Sequence, residues 1–149
     1  MNHLPFHTAH HWITQLTQLD PPLTSNQIAT LAAELHWEPA KDLNDYVYHQ
    51  AHNATLIQVA HEKKANEILS VTFALAKNRP PSLTGSLKLI ALYEEYLEKA
   101  KNTWGKPTDF ATNPTRVIWN IHKRAYIQLR LRPNQIMISL DRSDPNDPE

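Results

Sequence analysis

Four histidines crowd the start of the chain, His3, His7, His10 and His11. His7 and His11 stand four residues apart, the spacing that puts two imidazoles on one helix face, where zinc binds if a third ligand converges. No third ligand is evident, so no metal and no cofactor is expected. His36, His49, His52, His61 and His122 are scattered and read as core or interface histidines rather than as acid-base catalysts. A serine or threonine nucleophile needs a base and an oxyanion hole, which glycine-rich turns usually build. The chain has two glycines, Gly85 and Gly105, so no nucleophile elbow, phosphate-cradling loop or dinucleotide fingerprint can be written from it. Glu94, Glu95 and Glu98 could pair as carboxylates, but Lys99 and Lys101 interleave with them on a solvated helix side. No catalytic residue is assigned, and the chain is not expected to be an enzyme.

What must position any site is one core. A chain of 149 residues, 41% apolar and 20% charged, buries enough for a single domain, taken as residues 1–142. The remainder, 143–149, is acidic without an apolar anchor and is expected to fray. Without cysteine there is no disulfide framework and no thiolate chemistry. No apolar run approaches the ~20 residues that a membrane span needs, and the start lacks a leader pattern, so a cytoplasmic protein is expected.

Phe6, Ala9, Ile13, Leu16 and Leu19 recur at helical steps, predicting a first helix over residues 7–19 that Asp20-Pro21-Pro22 ends. Thr24 and Gln27 have the spacing of a reciprocal N-terminal cap for a second helix running to His36-Trp37. Tyr46 to Tyr48 and Thr55 to His61 read as a hairpin, and 67–76 as a third strand with Leu69, Val71, Phe73 and Leu75 on one face. Leu83 to Thr103 reads as a long helix stopped at Gly105 and Pro107, its stripe formed by Leu89/Ile90, Tyr93, Leu97, Ala100 and Trp104. Arg116 to His122, Tyr126 to Arg132 and Gln135 to Asp141 complete three further strands. The expected fold is therefore α+β, in the order α-α-β-β-β-α-β-β-β, with an antiparallel sheet of about six strands and one face partly open.

Charge is split along the chain although it sums to zero. Residues 1–75 carry three lysines against seven acids, and residues 76–149 carry twelve basic residues against eight acids. The acidic half holds Glu34, Glu38, Asp42 and Asp45 around Trp37, Tyr46 and Tyr48, with Glu62 able to widen the patch. Aromatic anchors ringed by steering charge are what a protein interface favours. Trp37 reads rather as core, while Tyr48 and the acids read as surface. The basic half holds Arg116, Arg130 and Arg132 with Tyr126 and His122, an alternative binding face of the kind some RNA-binding sheets use. A single aromatic and the lack of an RNP-like motif disfavour nucleic acid.

The stretch Ala33-Glu34-Leu35-His36-Trp37 is followed by Tyr93-x-x-Tyr96-Leu97, Trp104-Gly105-Lys106-Pro107-Thr108, Val117-Ile118-Trp119, Ile127-Gln128-Leu129 and Ile138-Ser139-Leu140. Over residues 24–142 this layout resembles a bacterial family of unknown-function proteins that are similar to immunity proteins encoded beside polymorphic toxins. The chain departs from that pattern at His36, where a glycine would precede the tryptophan, and at Lys123-Arg124, where the turn lacks one. The resemblance implies a stoichiometric inhibitor that binds a cognate toxin domain, of nuclease type, delivered by contact-dependent inhibition, type VI secretion or a related route. Against a nuclease, the acidic patch would stand in for phosphate. A monomer or weak dimer is expected. The alternatives are a nucleic-acid-binding module on the basic face and a secretion chaperone for an exported effector.

Overall fold

Thr24 and Gln27 form the reciprocal cap that their spacing predicts. The Gln27 backbone N–H donates to Thr24 Oγ1 at 3.4 Å, and the Thr24 N–H donates to Gln27 Oε1 at 2.9 Å. This opens α2 (Ser25–Glu34), which follows α1 (Phe6–Thr17). The computed structural model describes residues 2–43, 45–51, 53–62, 64–110, 115–121 and 125–142. After α2 come β1 (Glu38–Leu43), β2 (Tyr46–Gln50), β3 (Leu56–Glu62) and β4 (Glu67–Lys77). Then follow α3 (Leu83–Trp104), β5 (Asp109–Phe110), β6 (Arg116–Ile121), β7 (Ala125–Arg132) and β8 (Gln135–Arg142). The acidic tail 143–149 lies outside the described residues.

The α+β class and the long helix between two sets of strands stand, but the expected order needs correction. Among the described residues, seven strands of five residues or more, with the two-residue β5, form one antiparallel sheet in the order β1-β2-β3-β4-β8-β7-β6-β5. The helix therefore follows the fourth strand, not the third. β1 was hidden because all six of its residues are exposed, so it has no apolar alternation, and it contains Pro39. It is a strand because β2 pairs with it, Glu38 opposite Gln50 and Leu43 opposite Tyr46. Each half of the sheet is a four-stranded meander, and the two meet at their last strands, β4 against β8.

The three helices of the described residues bury their apolar stripes against one side of this sheet. Trp12 of α1 meets Phe73 of β4 edge to face at 5.0 Å between ring centroids, and Trp104 of α3 packs on Trp119 of β6 at 5.6 Å. Ile57, Val59, Val71, Phe73, Ile127, Leu129, Ile136 and Ile138 supply the sheet's share of the core. On α3 the buried stripe is Leu89, Tyr93, Tyr96 and Ala100; Ile90, expected in it, is 48% exposed with Leu83 and Leu87 on the outer side. Tyr96 donates its hydroxyl proton to the Leu4 carbonyl, and Leu4 N–H donates to Leu75 O at 2.7 Å, so the chain start is pinned to β4. Burial, with the charge of Glu95, pushes the Tyr96 phenol well up, which keeps it a donor.

Two local features carry predictions. His36 sits at φ 60°, in the left-handed region that costs a residue with a Cβ about 1 kcal/mol. His36→Gly is therefore expected to stabilise the fold by up to about 1 kcal/mol in urea unfolding, after the entropy that glycine adds to the unfolded chain. A loss of stability would show that the imidazole makes a compensating contact. Second, the Asn78 amide is buried in the connector before α3 and donates to Ser82 O at 3.0 Å, Ser86 Oγ at 3.2 Å and Asn134 Oδ1 at 3.3 Å. A Cβ on Gly85 would lie 1.8 Å from Asn78 Oδ1 and 2.9 Å from Ser82 Oγ. Gly85→Ala must expel that amide, costing about 1–3 kcal/mol for the polar groups left unmatched, despite alanine's better helix propensity. Thermal unfolding of the variant checks this.

Candidate functional site

Strand alternation sends the polar residues to the side of the sheet that the helices do not cover. Their registers align them into rows across the strands. One row runs Tyr46, Ala60, Ser70, Asp141, Tyr126 and Asn120; the next runs Tyr48, Gln58, Thr72, Ser139, Gln128 and Ile118. A third brings Ala74, Met137, Arg130 and Arg116 side by side, with Arg132 opposite Gln135 beyond it. None of these residues belongs to the hydrophobic core. Arg116, Tyr126, Arg130 and Arg132, read from the sequence as one face, are thus on one face; His122 lies outside the described residues.

The middle of this face is a trough of about 310 Å³ reaching from Tyr46 to Arg132 and floored by Gln128, Met137 and Asp141. Ser139 Oγ donates to Asp141 Oδ2 at 2.5 Å, and Gln128 Nε2 donates to the same oxygen at 3.4 Å. Arg116 Nε donates in turn to Gln128 Oε1. Gln128 and Ser139 are buried although no helix lies over them. Burial raises the Asp141 carboxyl above the usual carboxylate range; the Ser139 hydrogen bond, the charge of Arg130, the Gln128 amide and the charge of Arg116 offset only part of that. The group that sequence reasoning missed is Asp141, because in a linear reading it is merely the end of a strand. Its signal lay in the Ser139-x-Asp141 spacing, which places both side chains on one side of β8.

A carboxyl with a raised folded pKa contributes stability that is complete below its unfolded value of ~3.9 and is lost as pH rises through the folded value. Asp141→Asn lacks that contribution. Wild type is therefore expected to lose stability relative to Asp141→Asn as pH climbs from about 4 to neutrality, measured by urea unfolding of both at each end. A stability gap that does not change with pH would contradict the upward shift that burial gives this carboxyl.

The acidic set is divided by the fold. Asp42 lies near the end of β1 and Asp45 in the turn to β2; the His61 N–H donates to Asp45 O at 3.0 Å, which brings Glu62 to the same end of the sheet. Glu38 is at the far end of β1, ~13 Å along the strand from Asp42, and Glu34 is on the last turn of α2. One continuous patch of Glu34, Glu38, Asp42, Asp45, Tyr48 and Glu62 is therefore corrected to an acidic corner of Asp42, Asp45 and Glu62, with Glu34 and Glu38 apart from it. Tyr48 is half-buried and carries the Lys41 ammonium 4.9 Å from its ring centroid, so a cation interrupts the acids. Trp37 is core, meeting Trp12 edge to face at 5.3 Å, whereas Tyr46 is 42% exposed at the rim of the trough. By register Asp42 lines up with Val47, Val59 and Val71 on the helix side while Lys41 joins Tyr48 on the open side, so the acids gather at the β1–β2 end of the sheet and the open face itself is cationic on β6 and β7, ~19 Å across four strand spacings from β2 to β7.

His7 and His11 are exposed on α1, and among the described residues no three His, Asp or Glu side chains converge as a metal site would require. Burial lowers the pKa of His49, which points into the core side near Trp37. No helix of the described residues is long and apolar enough to cross a membrane. The profile of DUF6301, a family of unknown function, matches residues 7–142. No curated protein and no solved structure matches the chain.

Proposed function

The chain belongs to DUF6301, and we propose that it is a non-catalytic inhibitor of the immunity type, which seats a secreted toxin domain on its open sheet face and so covers that domain's active site. The observation that supports this reading is a polar sheet face that no helix covers, with arginines gathered on β6 and β7 and acids at the β1–β2 end of the sheet. Cationic side chains on that face with acids at the far end of the sheet fix the orientation of a protein partner and repel a mismatched one. On this reading the protein works in the cytoplasm of the producing cell, as a monomer or weak dimer, without cofactor.

Co-expression with the C-terminal domain of a large secreted protein encoded next to it tests the proposal. The expected result is a stoichiometric complex and restored growth of cells that the domain alone arrests. Continued arrest with no co-purification would overturn it.

One arrangement favours a second reading. Arg116, Arg130 and Arg132 share a face with Tyr126, as a single-strand nucleic-acid platform requires. Asp42, Asp45 and Glu62 at the other corner oppose a polyanion. Salt-dependent retention of a labelled oligonucleotide, abolished by Arg130→Ala, would replace the first reading with this one.

A further inference from the structure

We propose that the trough in the open sheet face is a binding site for one carboxylate, the side chain of an acidic residue presented by the protein partner. This rests on the reading above and names the chemistry that the partner must bring. Arg130 and Arg132 line the trough together with Asp141, whose carboxyl feels the Arg130 charge, but among the described residues neither arginine forms a hydrogen bond or a close ion pair. Arg130 Nε is moreover buried without an acceptor, while Arg116, directly opposite it on β6, has its own Nε committed to Gln128. Two guanidinium groups facing each other across strands repel, and a buried donor without an acceptor costs stability. An oxygen acid entering beside Arg130 relieves both at once, because a guanidinium donates two parallel hydrogen bonds to a carboxylate.

Charge and size select the ligand further. Arg130 and Arg132, with Arg116 beside them, outweigh Asp141 in charge, so the complement is an anion. At about 310 Å³ the trough is at the small end of the roughly 300–1,000 Å³ range of ligand sites, ample for one inserted side chain.

The test is a titration of the full chain with the peptide acetyl-Gly-Glu-Gly-amide, its Gln counterpart, sodium acetate and inorganic phosphate, read from the side-chain N–H signals of Gln128 and Arg130. The expected result is saturable shifts with the Glu peptide and at least about tenfold weaker response to the Gln peptide, acetate and phosphate. Arg130→Gln and Arg132→Gln, each checked for an intact fold by its backbone spectrum, should each weaken the Glu peptide about tenfold. Equal response to the Glu and Gln peptides would overturn the proposal. Acetate binding as well as the peptide would also overturn it, by assigning the site to free small anions. Failure of the functional reading is separable: the peptide would still bind when toxin capture fails, whereas capture at full affinity by Arg130→Gln would remove this site and leave the function.

Discussion

Trp119→Ala is expected to lower the unfolding free energy by about 3–5 kcal/mol, the largest loss of any single truncation in this fold. Trp119 is 1% exposed and is among the largest side chains buried to that degree. Its ring packs on Trp104, which in turn meets Phe6 at 5.6 Å, so β6, α3 and α1 share one aromatic stack. Its indole N–H donates to Gly105 O at 2.9 Å, where α3 ends and Gly105 adopts φ 84°. Alanine leaves a cavity and an unmet carbonyl together, and those two costs are not independent. Urea unfolding followed by tryptophan fluorescence and by circular dichroism gives the number. A loss below about 1.5 kcal/mol would mean that the stack collapses onto the void rather than holding β6 to the helices.

Reversing Asp42 and Asp45 together to lysine is expected to slow association with the toxin domain at least about tenfold at low salt. Both residues are exposed at the acidic corner, so the fold should change stability by no more than ~0.5 kcal/mol. The deficit should shrink as salt is raised, because the Debye length falls from ~30 Å at 0.01 M to ~8 Å at 0.15 M. Glu34→Lys and Glu38→Lys, away from that corner, should do markedly less. Stopped-flow association rates at two salt concentrations separate these outcomes. An equal effect from all four positions would restore the single acidic patch that the fold divides.

What could be read in the linear order was whatever depends on neighbours in sequence. Thr24 and Gln27 are three residues apart, and Gly105 followed by Pro107 ends α3 by local geometry, so both showed plainly. The alternation of β7 also showed, because Ile127 and Leu129 face the core while Arg130 does not. β1 was illegible for the converse reason: its residues bury nothing, and only the partner strand makes it a strand. Ile90 was misplaced because apolar spacing cannot tell a buried stripe from a neighbouring exposed one. The cationic side of the site was legible from strand periodicity alone. Asp141 and the division of the acids were not, since each depends on which strands lie adjacent, and the meeting of β4 with β8 joins residues about seventy positions apart.

The central claim is that the helix-free sheet face is the working surface. Hydroxyl-radical footprinting of the chain, alone and with its captured toxin domain, tests this most directly. Tyr46, Tyr48 and Met137 on the open face are expected to be protected, with Leu83, Leu87 and Ile90 on the outer side of α3 labelled as strongly as before. Protection of the α3 residues with the open face still labelled would contradict it.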